Sequence, residues 1–160
     1  MEPPLLVATA LAALGSAAMA GGFFVFSSFV MSGLARLPPS QGIEAMQSIN
    51  VTAVRPAFMG ALFGTALLSA GLLVTAVVTW GQRPAAYLLA GGLLYLLGTI
   101  ALTIVCHVPR NDRLMALVAD SPEAEVYWAQ YLRGWTAWNH VRAAAALAAA
   151  ASFVVAMTFG

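Results

Sequence analysis

The stretch WAQYLRGWTAWNHVRAAAALAAAASFVVAMTF (residues 128–159) sets Trp128, Tyr131, Arg133, Trp135, Trp138, Asn139, His140 and Arg142 directly before an alanine-rich apolar run. Aromatic and cationic side chains collect where lipid begins, and a charge placed deeper than that is costly. The run 135–159 exceeds the roughly 20 residues a helix needs to cross a hydrocarbon core, so the stretch reads as the mouth and body of a transmembrane helix. Working outward, the segments at about 5–34, 56–80 and 85–108 have the same apolar character. The fold class that follows is all-α: an integral membrane four-helix bundle, with residues 1–160 forming a single four-span domain. Composition agrees, because 61% hydrophobic and 8% charged residues with a mean hydropathy of +0.86 do not suit a soluble domain.

The first span lacks a basic leader, and its apolar run is about twice the roughly 7–15 residues of a signal peptide core, so it reads as retained. The single cysteine, Cys106, excludes an internal disulfide. There is no lysine, and the arginines are spread rather than gathered into a basic patch, so no nucleic-acid partner is expected. Arg36 and Arg55 flank the first connection, and Arg110, Arg113 and Arg133 lie in the third, while the second holds only Arg83. Short loops rich in arginine stay cytoplasmic. The expected location is therefore a bacterial inner membrane, with both termini outside and the first and third connections cytoplasmic.

Two connections carry more than a turn. Between Ser40 and Val54, the residues Ile43, Met46, Gln47, Asn50 and Val54 recur at spacings of three and four, which predicts a short helix at the interface or plugging the bundle mouth. In the third connection Pro109 is expected to end the third span and Asn111 to cap a helix starting at Asp112. Ser121 before Pro122 is expected to cap a helix running through Tyr127 into the fourth span. Gly81 to Pro84 reads as a tight turn.

Projected at about 100° per residue, each span shows one polar or aromatic stripe, as expected of helices around a cavity. The stripes are Ser16, Met19, Phe23 and Ser27; Arg55, Phe58, Met59 and Ser69; and Gly92, Tyr95, Thr99, Thr103, Cys106 and His107. On the fourth span Trp135, Trp138, Asn139 and Arg142 share a face, and His140 points away from it toward the side of Arg133 and Thr136. His107 and His140 are the only histidines, one closing the third span and one opening the fourth. Either can act as a general base. Facing each other, they can instead ligate a haem iron or, with Cys106 or Met31, copper.

Taken together, Pro38, Pro39, Gly42, Met46, Gln47, Ile49 and Asn50, then Val108, Pro109 and Asn111, then Trp128, Tyr131, Trp135, Trp138, Asn139, His140 and Arg142 resemble the anthrone oxygenase family over nearly the whole chain. The resemblance implies a small four-span membrane protein that oxidises an anthrone to an anthraquinone with dioxygen and without a metal or organic cofactor. For that chemistry, position and residue type suggest His140 or His107 as base, and Asn139, Asn111 and Asn50 as donors to substrate oxygens. Arg142 and Arg55 would be counter-charges for the enolate, and Trp135 and Trp138 stacking walls, with Gln47 and Tyr131 completing the substrate-binding set. The expected partners are the lipid bilayer, a small lipophilic substrate and dioxygen.

Two other classes stand beside this expectation. One is the haem or copper protein ligated by His107 and His140. The other is a structural or accessory subunit, for which Gly60 and Gly64 on the second span and the run Ala143 to Ala151 permit close helix contacts. These small residues read as packing inside one bundle, with a homodimer as the alternative.

Overall fold

The computed structural model describes residues 1–159 and contains five helices. They are α1 (Pro3–Leu34), α2 (Pro39–Ala53), α3 (Pro56–Val78), α4 (Ala85–Met115) and α5 (Pro122–Met157). All but α4 have proline in the first turn, where a fixed φ suits the helix and the missing N–H has no partner to lose. Ser121 caps α5 as expected, its Oγ accepting from the Ala124 N–H at 3.2 Å. α1, α3, α4 and α5 are long and apolar enough to cross a membrane, which makes the protein an all-α membrane bundle. α1 packs on α3 and α5, and α4 packs on the same two from the other side.

Small residues set the approach of these helices. Ala12, Ala13 and Ala20 on α1 and Ala143, Ala146, Ala149 and Ala150 on α5 are buried in the core, where short side chains let backbones come close. A Cβ at Gly92 would stand 2.9 Å from the Ser69 carbonyl of α3, and one at Gly91 would stand 2.6 Å from the Phe153 ring of α5. Gly60 and Gly64, by contrast, meet nothing within 4 Å. They lie on the outer face of α3, which corrects the expectation that they pack inside the bundle. The stripe on α3 is also shifted: Leu62, Thr65, Ser69, Leu72 and Ala76 are buried, while Arg55 is exposed and Phe58 half-exposed.

The mouth is plugged by α2, close to the helix expected over 40–54. Its Ile43 and Met46 join Met31, Leu34, Leu114, Trp128, Tyr131 and Trp135 in an apolar cluster separate from the bundle core. Gln47 Nε2 donates to the carbonyls of Leu114 (2.9 Å) and Leu117 (3.0 Å), at and just past the end of α4. Val54 does not join this face and is mostly exposed, because the helix has already ended at Ala53.

α1 and α4 are not uniformly α-helical. Phe26–Val30, Leu96–Ala101 and Thr103–His107 form π-helical turns, which are rare and often sit at functional sites. They explain two corrections. Pro109 does not end the helix, because it follows the wide turn at Thr103–His107 and sits in the first turn of a renewed α segment, Val108–Met115. Asn111 is therefore inside that segment rather than at its cap.

Gly92→Ala is expected to lower the stability of the detergent-solubilised protein by about 1–3 kcal/mol, because backbone rather than a flexible side chain blocks the new methyl. Gly64→Ala should hold stability or raise it by up to about 1 kcal/mol. Equilibrium unfolding of the two variants beside the parent checks both.

Candidate functional site

Among the described residues, Arg142 on α5 is the one buried arginine, at 8% exposed. Its Nε (3.1 Å) and Nη2 (2.5 Å) donate to Asn139 Oδ1, and its Nη1 donates to Thr103 Oγ1 of α4 at 3.1 Å. Asn139, fully buried, turns its Nδ2 to α1, donating to the Phe23 carbonyl (2.7 Å) and to Ser27 Oγ (2.6 Å) beside the π turn. The guanidinium lies 3.9 Å over the Phe23 ring and 5.7 Å from that of Trp135. The six acidic residues are all exposed, so every partner of this buried cation is neutral. Paired as it is, the cluster ties three helices together at one level.

Toward the mouth, Tyr131 Oη (2.8 Å) and Trp135 Nε1 (3.0 Å) both donate to Asn111 Oδ1. Trp128 stacks on Tyr131 at 5.6 Å, and Tyr131 stacks on Trp135 at 6.3 Å. Asn50 of α2 lies in this region with its Nδ2 buried and unpartnered. His107 is 1% exposed, meets Trp135 edge-on at 5.0 Å between ring centroids, and has no hydrogen-bond partner for either ring nitrogen among the described residues.

On the far side of α5 the bundle surface is indented. A groove of about 420 Å³ runs between α1 and α5, floored by Ala17, Ala20, Gly21, Ala143 and Ala144. Phe24 and Leu147 form its sides, and His140 is the one ionisable group lining it.

The residues named from sequence thus divide. Trp135, Asn139, Arg142, His107, Tyr131 and Asn111 converge inside the bundle. Asn139 has both amide protons and its oxygen engaged within the fold, which leaves it nothing to donate to a substrate. Gln47 is likewise engaged with α4. Trp138 is 40% exposed, because it stands at the edge of the buried arc set by Trp135, Asn139 and Arg142, so it does not face the interior with Trp135. Arg55 points outward at the mouth. His107 is buried and His140 exposed; among the described residues, no group of three or more His, Cys, Asp or Glu is arranged to hold a metal ion.

The anthrone oxygenase family model matches residues 53–152, well over half of the chain. This chain belongs to the anthrone oxygenase family. The matched stretch holds Arg55, His107, Asn111, Tyr131, Trp135, Trp138, Asn139, His140 and Arg142, whereas Gln47 and Asn50 lie before it. No curated protein and no solved structure matches the chain. For this anthrone oxygenase family member, sequence reading placed Phe23, Ser27 and Thr103 on inward stripes but missed their pairing with the buried polar residues of α5. Ser27, Phe23 and Thr103 bind the Asn139/Arg142 pair, and the small residues of α1 shape the groove. Ala17, Ala20, Gly21 and Phe24 do carry a helical spacing, but the same spacing serves plain packing.

Asn139→Ala removes both ties to α1 and strips Arg142 of one acceptor used twice, and is expected to destabilise the protein by about 3 kcal/mol or more. His140→Ala, at an exposed position, should stay within about 0.5 kcal/mol of the parent. Unfolding midpoints in detergent distinguish the two.

Proposed function

We propose that the protein oxidises a flat, lipophilic phenol of the anthrone type with dioxygen and without a cofactor, in the groove between α1 and α5. One observation carries this reading: His140 is the sole ionisable side chain in an otherwise apolar groove, open on the outer surface of the bundle. An imidazole is suited to take a proton near neutral pH, and the apolar surroundings keep bulk water from the reacting carbon. The activated methylene of an anthrone gives its proton to His140. The electron-rich carbanion passes an electron to dioxygen, and the radical pair combines to a peroxide anion that takes the proton back from His140 to give the hydroperoxide. Loss of water across the remaining C–H and the O–O bond leaves the ketone, so one methylene and one dioxygen give one carbonyl and one water.

The volume suits a fused-ring substrate that arrives from the lipid, with Phe24 and Leu147 against its faces. The Asn139/Arg142 cluster fixes the rotation of α5 that presents His140 to the groove and supplies a buried positive charge on the same helix. In the orientation the arginines favour, the α2 mouth faces the cytoplasm of a bacterial inner membrane, with both termini outside.

With an anthrone-type phenol, His140→Ala is expected to lower kcat about 100-fold or more, the usual range for loss of a general base. Ala144→Leu, which fills the groove, should raise KM with the fold intact. Dioxygen uptake by purified protein reads both, and undiminished turnover in His140→Ala rejects the assignment.

A further inference from the structure

A second feature lies inside the bundle, away from the groove. Arg142 is a buried cation whose hydrogen-bond partners, Asn139 and Thr103, are neutral, and three hydrogen bonds leave two of its five N–H groups unused. His107 stands one wide turn along α4 from Thr103, and both His107 and Arg142 pack against the Trp135 indole. Neither buried ring nitrogen of His107 makes a full hydrogen bond: the Trp138 backbone carbonyl is within reach, but not in hydrogen-bonding geometry. An unmade hydrogen bond at such depth, beside an uncompensated charge, is a double penalty that one ligand can remove.

We propose that Arg142 and His107, beside Trp135, together bind a small inorganic anion of halide size. The anion accepts from the free guanidinium N–H groups and from the imidazole N–H, and neutralises the charge of the one buried arginine among the described residues. Phe23, Asn139 and Thr103 already occupy the other sides of the guanidinium, which limits the ligand to a small one. The aromatic faces of Phe23 and Trp135 offset only part of the charge. A water molecule would satisfy His107 but would leave the charge in place. The inference is independent of the reaction proposed for the groove.

Trp135 reports on this site directly, since bromide quenches an indole it touches. Purified protein in gluconate buffer at constant ionic strength is titrated with bromide while tryptophan fluorescence is read. Exposed Trp80 and Trp138 give quenching linear in bromide, and the site adds a saturable component that chloride reverses by competition. Arg142→Gln should abolish that component. His107→Phe keeps a ring against Trp135 but removes one donor, and should weaken the saturable binding about tenfold or more. Strictly linear quenching in the parent overturns the proposal. So does saturable quenching unchanged in His107→Phe, a result that stands even where Arg142→Gln fails to fold.

Discussion

A guanidinium buried about two turns inside the last span constrains everything around it. Arg142 has no carboxylate to meet, so it is held by the Asn139 amide and the Thr103 hydroxyl, and Asn139 in turn grips α1 at Phe23 and Ser27. Leaving these groups unpaired in a low-dielectric interior is more costly than any gain from rotating α5 to another face. Once Asn139 and Arg142 face inward, helical geometry sends His140 to the opposite side, together with Ala144 and Leu147. The groove and its single imidazole follow from that rotation.

The π turns adapt α1 and α4 to the same cluster. Along α4, Tyr95, Thr99 and His107 are buried and Thr103 reaches Arg142, all at intervals of four residues. A regular α-helix would carry such a row around its axis over three turns, and the wider turns at Leu96–Ala101 and Thr103–His107 keep it on the inner side of the bundle, where Tyr95 reaches the Leu62 carbonyl of α3 and Thr103 reaches Arg142 of α5. On α1 the π turn at Phe26–Val30 adjoins the carbonyl and hydroxyl that receive Asn139. Interrupting a backbone ladder where a side chain inserts into it is a recognised cause of local helix distortion.

Much of the bundle was legible from residue type and period alone. The four apolar spans, the plug helix after Pro39, the Ser121 cap and the outward turn of His140 away from Asn139 all follow from hydropathy, capping chemistry and 3.6-residue spacing. The path through Pro109 was not, since nothing local announces a π turn, and a proline at the end of an apolar run ordinarily signals a stop. Asn111 looked like a cap because asparagine favours that position, yet its carbonyl oxygen serves Tyr131 and Trp135 across the mouth. Asn139 looked like a substrate donor because burial and polarity mark functional groups and structural anchors alike. The groove depends on how closely α1 and α5 approach, which alanine and glycine permit but do not specify.

In the reaction proposed here the flat substrate lies on the outside of α5, against His140, and not among the buried aromatics on its other side. The most direct measurement is an experimental structure of the purified protein with the anthraquinone product bound. The ring system should lie between Phe24 and Leu147 with one carbonyl oxygen within hydrogen-bonding distance of His140. A ring found inside the bundle against Trp135 and His107 would contradict the account and transfer the chemistry to the buried histidine.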